Sequence, residues 1–337
     1  MKQALTVLSV AYPLFPVGPD SGGGAEQILF LIEKGLVEAG HHSIVVAAKG
    51  SHVSGDLVET PVCDGEITDE IRTQAQQEHL RSIERILQER KVDVIHFHGL
   101  DFYTYQPRTK IRRLATLHLP LAWYPEAIFS GQVQLNCVSH SQASTLGLPV
   151  VQNGIDVQRY TPARTNKGHL LWLGRICPEK GVHVALQVAH RLNLPMIVAG
   201  PVHPFRFHQD YFAEQVEPLL DDIRRYVGPV GISEKLRLYA GARCVLIPSS
   251  VAETSSLVAM EAISSGTPVV AFRSGALPEV VEHGRTGFIV DSEDDMVGAV
   301  QRIDEISSET CRARAIGQFS AERMVEGYLR LYRELLG

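Results

Sequence analysis

The stretch SSVAETSSLVAMEAISSGTPVVAF (residues 249–272) sets out a polar turn, a short amphipathic helix, a Gly-Thr-Pro break and an apolar strand. It overlaps the end of another apolar run, CVLIPS (244–249), so the order is strand, turn, helix, strand. Short apolar strands that alternate with helices build a mostly parallel sheet covered by those helices. Two carboxylates, Glu253 and Glu261, stand eight residues apart around the helix start (261 − 253 = 8). What these carboxylates face decides what the chain does.

The same alternation runs outward toward both termini. LTVLSVA (5–11) reads as a first buried strand, and AEQILFLIEKGLVEAG (25–40) as a helix with an apolar stripe ending at a Gly40 C-cap. SIVVAAKG (43–50) is the next strand, followed by a Gly-, Asp- and Thr-containing loop and a helix over about 69–90. VDVIHFHG (92–99), LATLH (114–118) and LNCVSH (135–140) read as further strands, each with a polar group where it ends. VVQNGIDVQRYTPARTNKGH (150–169) breaks the pattern with Asn-Gly, Pro and several charges and is read as a domain boundary. After it come HLLWLGRI (169–176), a helix over 179–192, LPMIVAG (194–200), a long polar helix near 207–225 and a strand around Tyr226 and Val227. A helix at 233–241, the opening stretch, GFIV and terminal helices over 293–335 complete the chain. The expected division is 1–160, 161–315 and a last helix, 316–337, with ligands at the carboxyl ends of strands in a cleft between the halves.

Composition narrows the function classes. With 337 residues, 45% apolar and 21% charged, the chain is long enough for two domains with substantial cores. A net charge of −6 offers no global field for nucleic acid. The five cysteines, Cys63, Cys137, Cys177, Cys244 and Cys311, are scattered, without CxxC or zinc-ligand spacing, and read as core thiols in a reducing cytoplasm. No run approaches the roughly 18 apolar residues of a spanning helix. The start, with one Lys and no small-residue cleavage pattern, reads as a strand rather than a signal peptide.

Several groups can carry chemistry. Ser21-Gly22-Gly23-Gly24-Ala25-Glu26 sits between the first strand and first helix, either as a flexible turn or as a cradle whose backbone N–H groups meet an anion. Gly174-Arg175-Ile176-Cys177-Pro178-Glu179-Lys180-Gly181 holds the matching place in the second half. There Arg175 can fork onto phosphoryl oxygens and Lys180 can add a point charge, unless both are solvated surface ions. In the opening stretch Thr254 or Ser255 is expected to cap the helix, leaving the amides of Ser255, Ser256 and Leu257 for an anion. Glu253 then suits neutral hydroxyls, and Glu261 is either a solvated helix position or a ligand for a vicinal diol such as a ribose. His96 and His98 share one strand face without a carboxylate to complete a metal set, and His118 ends its strand toward the expected cleft. His140 and His283 read as ordinary core or surface histidines, and no G-x-S-x-G elbow supports a hydrolase.

Taken together these residues resemble the GT-B retaining glycosyltransferases of family 4. The resemblance rests on Glu253 to Glu261 in E-x7-E spacing with Ala262 and Gly266-Thr267-Pro268-Val269-Val270, Gly-Arg-x4-Lys-Gly at 174–181, Gly23-Gly24-Ala25-Glu26, His118, Asn153-Gly154-Ile155-Asp156 and Gly228-Pro229-Val230. It implies two Rossmann-like domains facing across a cleft, the first binding the acceptor and the second a nucleotide sugar, with the last helix crossing back to the first. It assigns Arg175 and Lys180 to the diphosphate, Glu253 to sugar hydroxyls, Glu261 to the ribose and His118 to the donor sugar. Gly23 and Gly24 approach the donor from the first domain, the amides of Ser255, Ser256 and Leu257 reach sugar or phosphate, and Val230 borders the base. One departure stands out: the family commonly writes E-x-F-G where this chain has Glu253-Thr254-Ser255-Ser256.

The resemblance also implies a UDP-, GDP- or ADP-sugar donor and no metal, in keeping with the lack of an Asp-x-Asp motif. The alternatives weighed beside it are a GT-B nucleotide-sugar epimerase or phosphorylase and a catalytically silent nucleotide-sugar binding module. A glycosidase pair needs carboxyls about 5 to 5.5 Å apart, whereas eight residues along a helix separate them by about 12 Å. The basic run Arg108, Lys110, Arg112 and Arg113 is either a solvated face or a hold for a phosphate-bearing lipid or small acceptor, which would bring peripheral contact with the inner face of the membrane.

Overall fold

The computed structural model describes residues 4–61, 67–162 and 168–337. Cys63, and the part of the expected linker at 163–167, lie outside these residues. The chain forms two compact units, Met1–Gly154 with Ala321–Gly337, and Ile155–Ser320.

The first unit is built on strands β1 (Thr6–Val10), β2 (His42–Ala48), β3 (Asp56–Thr60), β4 (Val94–Phe97), β5 (Arg112–Leu117) and β6 (Gln134–Cys137), with helices α1 (Gly24–Glu38), α2 (Asp69–Glu89) and α3 (His140–Ala143) between them. All neighbours pair in parallel in the order β3-β2-β1-β4-β5-β6. The apolar runs of β1, β2 and β4 are buried almost throughout, as strands covered on both faces must be. β3 was read from sequence as loop; its five residues DLVET mix charge with two aliphatics, the composition of a short edge strand. Helix α1 buries Ile28, Leu29, Ile32 and Leu36 on one stripe.

The second unit repeats the plan with β7 (His169–Leu173), α4 (Val182–Arg191), β8 (Met196–Ala199), α5 (Arg206–Tyr211), β9 (Arg224–Tyr226), α6 (Ile232–Gly241), β10 (Ala242–Ile247), α7 (Leu257–Ser264), β11 (Val269–Phe272), α8 (Leu277–Val280), β12 (Gly287–Val290), α9 (Glu293–Gln301) and α10 (Ser308–Gln318). Its parallel order β12-β11-β10-β7-β8-β9 is the first sheet's order over again, with β7 and β10 in the places of β1 and β4. Both are doubly wound sheets whose order reverses beside the first strand, the point where such sheets gather ligands. The core runs through Leu171, Val198, Val245, Val270 and Ile289. The expected long helix at 207–225 does not form: α5 stops at Tyr211, a π turn spans Phe212–Val216, and Pro218 confines the next turn to Glu217–Leu219. The strand expected at Tyr226 and Val227 is β9, which starts at Arg224.

The last helix, α11 (Ala321–Leu336), belongs to the first unit. It buries Met324, Val325, Tyr328, Leu329 and Tyr332. Its closest neighbour there is α1, at Gly35, where any Cβ would come within 2.5 Å of Val325 Cγ2.

Candidate active site

In the second unit, the loops after β7 and β10 meet at the reversal point. Gly181, with φ +66°, turns the chain into α4, and a Cβ there would sit 2.3 Å from the Pro248 carbonyl oxygen. The left-handed turn delays the helix to Val182, so Lys180 precedes α4 rather than lying on the helix expected from 179. Ser250 N–H donates to the Glu179 carbonyl at 2.9 Å and Trp172 Nε1–H to the Lys180 carbonyl at 3.3 Å, which tie the two loops and the strand together. Lys180 Nζ donates to Glu253 Oε1 at 2.6 Å, and Ser249 Oγ donates to the same oxygen. Glu253 is only 9% exposed. Arg175 Nη2 contacts Glu179 Oε1 at 3.3 Å and stays largely open to solvent. A partly buried carboxylate paired with Lys180 is thus held at the carboxyl ends of β7 and β10, and the Arg175–Glu179 pair lies on the same loop as Lys180.

The cap of α7 falls one to two residues later than expected. Ser256, not Thr254 or Ser255, is the N-cap, its Oγ accepting from Ala259 N–H at 3.3 Å. The open amides of the first turn are then Leu257 and Val258, not Ser255 and Ser256. Ser255 Oγ is buried and has no hydrogen-bond partner. Glu253 lies off the helix, so the two carboxylates do not share it.

Glu261 is not the solvated position allowed from sequence; it is 1% exposed. Its Oε1 accepts from Tyr160 OH at 2.8 Å and Lys235 Nζ at 2.5 Å, and its Oε2 from Tyr239 OH at 2.7 Å. Burial, then the neighbouring carboxylate, push both tyrosine hydroxyls well above their usual range, so they remain donors. None of these three partners was singled out in the sequence. They lie 101, 26 and 22 residues from Glu261, so no local pattern announces them. Val230 follows β9 and packs partly buried against the core of the same unit.

In the first unit, His118 follows β5 directly, and its Nε2 lies 3.0 Å from His98 Nδ1. Desolvation holds the pKa of His118 down to about 4 and that of His98 well below the usual range, so both rings are neutral at pH 7. The His96 ring lies against that of His98, tilted by 45° with ring centres 4.0 Å apart, as a shared face requires, and bonds Tyr332 OH and Thr116 Oγ1, each at 2.7 Å. Gly23 caps α1 and Gly24 is its first residue, but Glu26 folds back over that turn: a Cβ on Gly23 would meet Glu26 Oε2 at 1.9 Å. The reading of this loop as an anion cradle is therefore corrected, since a carboxylate already lies against the helix start.

Cys137, Cys177, Cys244 and Cys311 are buried thiols, as expected of core cysteines. Among the described residues, Cys177, Glu179 and His208 bring ligand-type atoms within 4.8 Å of one another. Glu179 is paired with Arg175 there, and burial pushes the Cys177 thiol up, which favours its protonated form. No helix among the described residues is long and apolar enough to cross a membrane.

Residues 167–306 match the family described as "Glycosyl transferases group 1". Over 238 residues the chain is 30% identical to the D-inositol 3-phosphate glycosyltransferase of Corynebacterium efficiens, a match covering 64% of this chain and 56% of that protein. The chain spans about half the length of the curated relatives it matches. AviGT4, a glycosyltransferase involved in avilamycin A biosynthesis, superposes with a TM-score of 0.76 at 24% identity, covering 98% of each chain. Anabaena HepE, solved in complex with UDP and glucose, superposes with a TM-score of 0.76 at 17% identity, covering 98% of this chain and 99% of its own. The paired doubly wound sheets are the GT-B fold, and the chain carries a glycosyl transferases group 1 domain.

Proposed function

We propose that the chain is a retaining glycosyltransferase of family 4 that moves a sugar from a nucleotide-sugar donor to a hydroxyl of a glycan, lipid-linked or small-molecule acceptor, without a metal. The observation that carries this reading is the Lys180–Glu253 pair just ahead of α7, with Arg175 on the same loop as Lys180. The second unit takes the nucleotide sugar and the first the acceptor. Arg175, Lys180 and the amides of Leu257 and Val258 meet the diphosphate, and Val230 borders the base. Glu253 accepts from sugar hydroxyls, and Glu261 Oε1 serves the ribose in competition with Lys235. As the anomeric bond breaks, negative charge grows on the leaving phosphate, and fixed cations and amides stabilise that state more than the ground state. The leaving phosphate takes the proton of the acceptor hydroxyl, which adds from the face it leaves. His118 is assigned to the donor sugar. HepE, bound to UDP and glucose on the same fold, supports a UDP-sugar as the first donor to try.

The enzyme works in the cytoplasm, and a lipid-linked acceptor would bring it to the inner membrane face. Arg108, Lys110 and Arg113 line a shallow depression of about 650 Å³ at the amino end of β5, a surface suited to lipid phosphates. The test is product formation from UDP-, GDP- and ADP-sugars with and without acceptor, with and without a chelator. A glycoside formed only with acceptor, with its anomeric configuration kept and no loss to the chelator, is expected. An epimer or sugar phosphate formed without acceptor would move the assignment to an epimerase or phosphorylase, and binding without turnover would leave a silent module.

A further inference from the structure

Three groups that the proposed reaction does not use meet within the second unit: Cys177 Sγ, a carboxylate oxygen of Glu179 and a ring nitrogen of His208 all lie within 4.8 Å of one another. Cys177 and Glu179 stand two residues apart on the loop before α4, and the fold brings His208 of α5 to them from 31 residues along the chain (208 − 177 = 31). No spacing in the sequence announces the set. His208 is only 3% exposed, yet its Nδ1 is buried with no hydrogen-bond partner among the described residues. The rings of Phe205 and Phe207, centred 5.5 and 4.2 Å from the imidazole, pack against it. A buried ring nitrogen left without a partner, on a side chain that reaches a thiol and a carboxylate, is a defect that a ligand would repair.

Sulfur, imidazole nitrogen and carboxylate oxygen together are the donor set of zinc and the transition metals near it, not of magnesium or calcium, which take oxygen. With bonds of about 2.0–2.3 Å, neighbouring donors of a tetrahedral zinc site stand roughly 3.3–3.8 Å apart, so the 4.8 Å limit has to close by at most roughly 1.5 Å. Glu179, with 27% of its side chain exposed, is the ligand able to make that movement. What competes for it is the 3.3 Å pair with Arg175, and a pair so open to solvent is worth little. The Cys177 thiol donates to the Arg175 carbonyl at 3.5 Å; a metal releases that proton to solvent, and thiolate and carboxylate then balance its two charges. We propose that Cys177, Glu179 and His208 form a binding site for a zinc-class divalent metal, with water in the fourth position. The site lies beyond the reaction proposed above and does not depend on it. Its occupation takes Glu179 from Arg175 and fastens α5 to the loop before α4.

Titration of the full chain, first stripped with a chelator, with Co²⁺ and then Zn²⁺ reads the ligands without any substrate. One equivalent of Co²⁺ should give a thiolate-to-cobalt charge-transfer band together with the strong visible bands of a four-coordinate ion, and Zn²⁺ should displace it. Cys177→Ser should abolish the charge-transfer band although the four other cysteines remain (5 − 1 = 4). His208→Asn should weaken zinc binding by more than about 100-fold, the most that loss of a merely supporting partner costs, and Glu179→Gln should weaken it by at least about tenfold. A wild type without the band, a band that survives in Cys177→Ser, or zinc affinity unchanged in His208→Asn overturns the proposal. Cys177 and His208 are buried, so if either variant does not fold, the more exposed Glu179→Gln decides, and wild-type zinc affinity there overturns the site. A chain that gives the band and transfers no sugar upholds the site and overturns the proposed function; one that transfers sugar and gives no band does the reverse.

Discussion

The two units share one strand order and place opposite kinds of chemistry at its carboxyl ends. In the first, β4 and β5 lead into a layer of neutral rings, His96, His98 and His118, braced by hydroxyls of Tyr328, Tyr332 and Thr116. In the second, β7 and β10 lead into Arg175, Lys180 and Glu253, with Glu261 in the interior behind them. Topology therefore sets where side chains gather, and residue type sets what they can hold. Neutral donors and acceptors suit hydroxyls, and fixed cations at a helix start suit phosphates.

The largest effect should come from the charge that the second unit keeps inside. Glu261→Ala strands the Lys235 ammonium and two tyrosine hydroxyls, and should cost about 3–5 kcal/mol of stability by denaturant unfolding. A loss under about 1 kcal/mol would mean the cluster is not a structural anchor, and the contrast between the units would weaken. Lys180→Ala should lower turnover by about 10²- to 10³-fold if its charge acts on the leaving phosphate. Wild-type turnover in that variant would break the assignment of the charged cluster to chemistry.

The neutral layer is open to a pH test. The pKa values of His118 and His79, both in the first unit, are held down to about 4 by desolvation. Between about 4 and the unfolded value near 6.5 the unfolded chain binds more protons, so stability rises with pH through that window and is lost as pH falls. Each group should contribute up to about 1.4 kcal/mol per pH unit there, and unfolding midpoints of wild type against His118→Gln and His79→Gln measure it. A midpoint that is flat from pH 6.5 to 4 would contradict the neutral layer. The smallest effect belongs to the helix cap: Ser256→Ala should cost about 1 kcal/mol and Ser256→Gly only a few tenths. Equal losses would show that Ser256 Oγ does not cap α7.

Much of this arrangement was legible locally. Alternating apolar runs and helices predicted the parallel sheets, and the E-x7-E and Gly-Arg-x4-Lys-Gly spacings led to the segments that meet at the reversal point of the second sheet. The misses have physical causes. β3 was hidden because an edge strand carries polar residues that read as loop. The cap was misplaced because Thr254, Ser255 and Ser256 are all competent caps, and only the backbone turn at Ser256 selects among them. Glu261 was left undecided because Tyr160, Lys235 and Tyr239 reach it from three distant segments. The obstruction of the Gly23 turn was invisible because it depends on how Glu26 folds back.

The central claim is that the charged cluster of the second unit holds the diphosphate of a nucleotide sugar. The most direct measurement is thermal stabilisation across UDP-, GDP- and ADP-sugars without metal, comparing wild type with Arg175→Ala and Glu253→Ala. Stabilisation of the wild type by one donor class, weakened in Arg175→Ala and again in Glu253→Ala, is the predicted result. Stabilisation that is unchanged in Arg175→Ala, or absent for every donor, would contradict it.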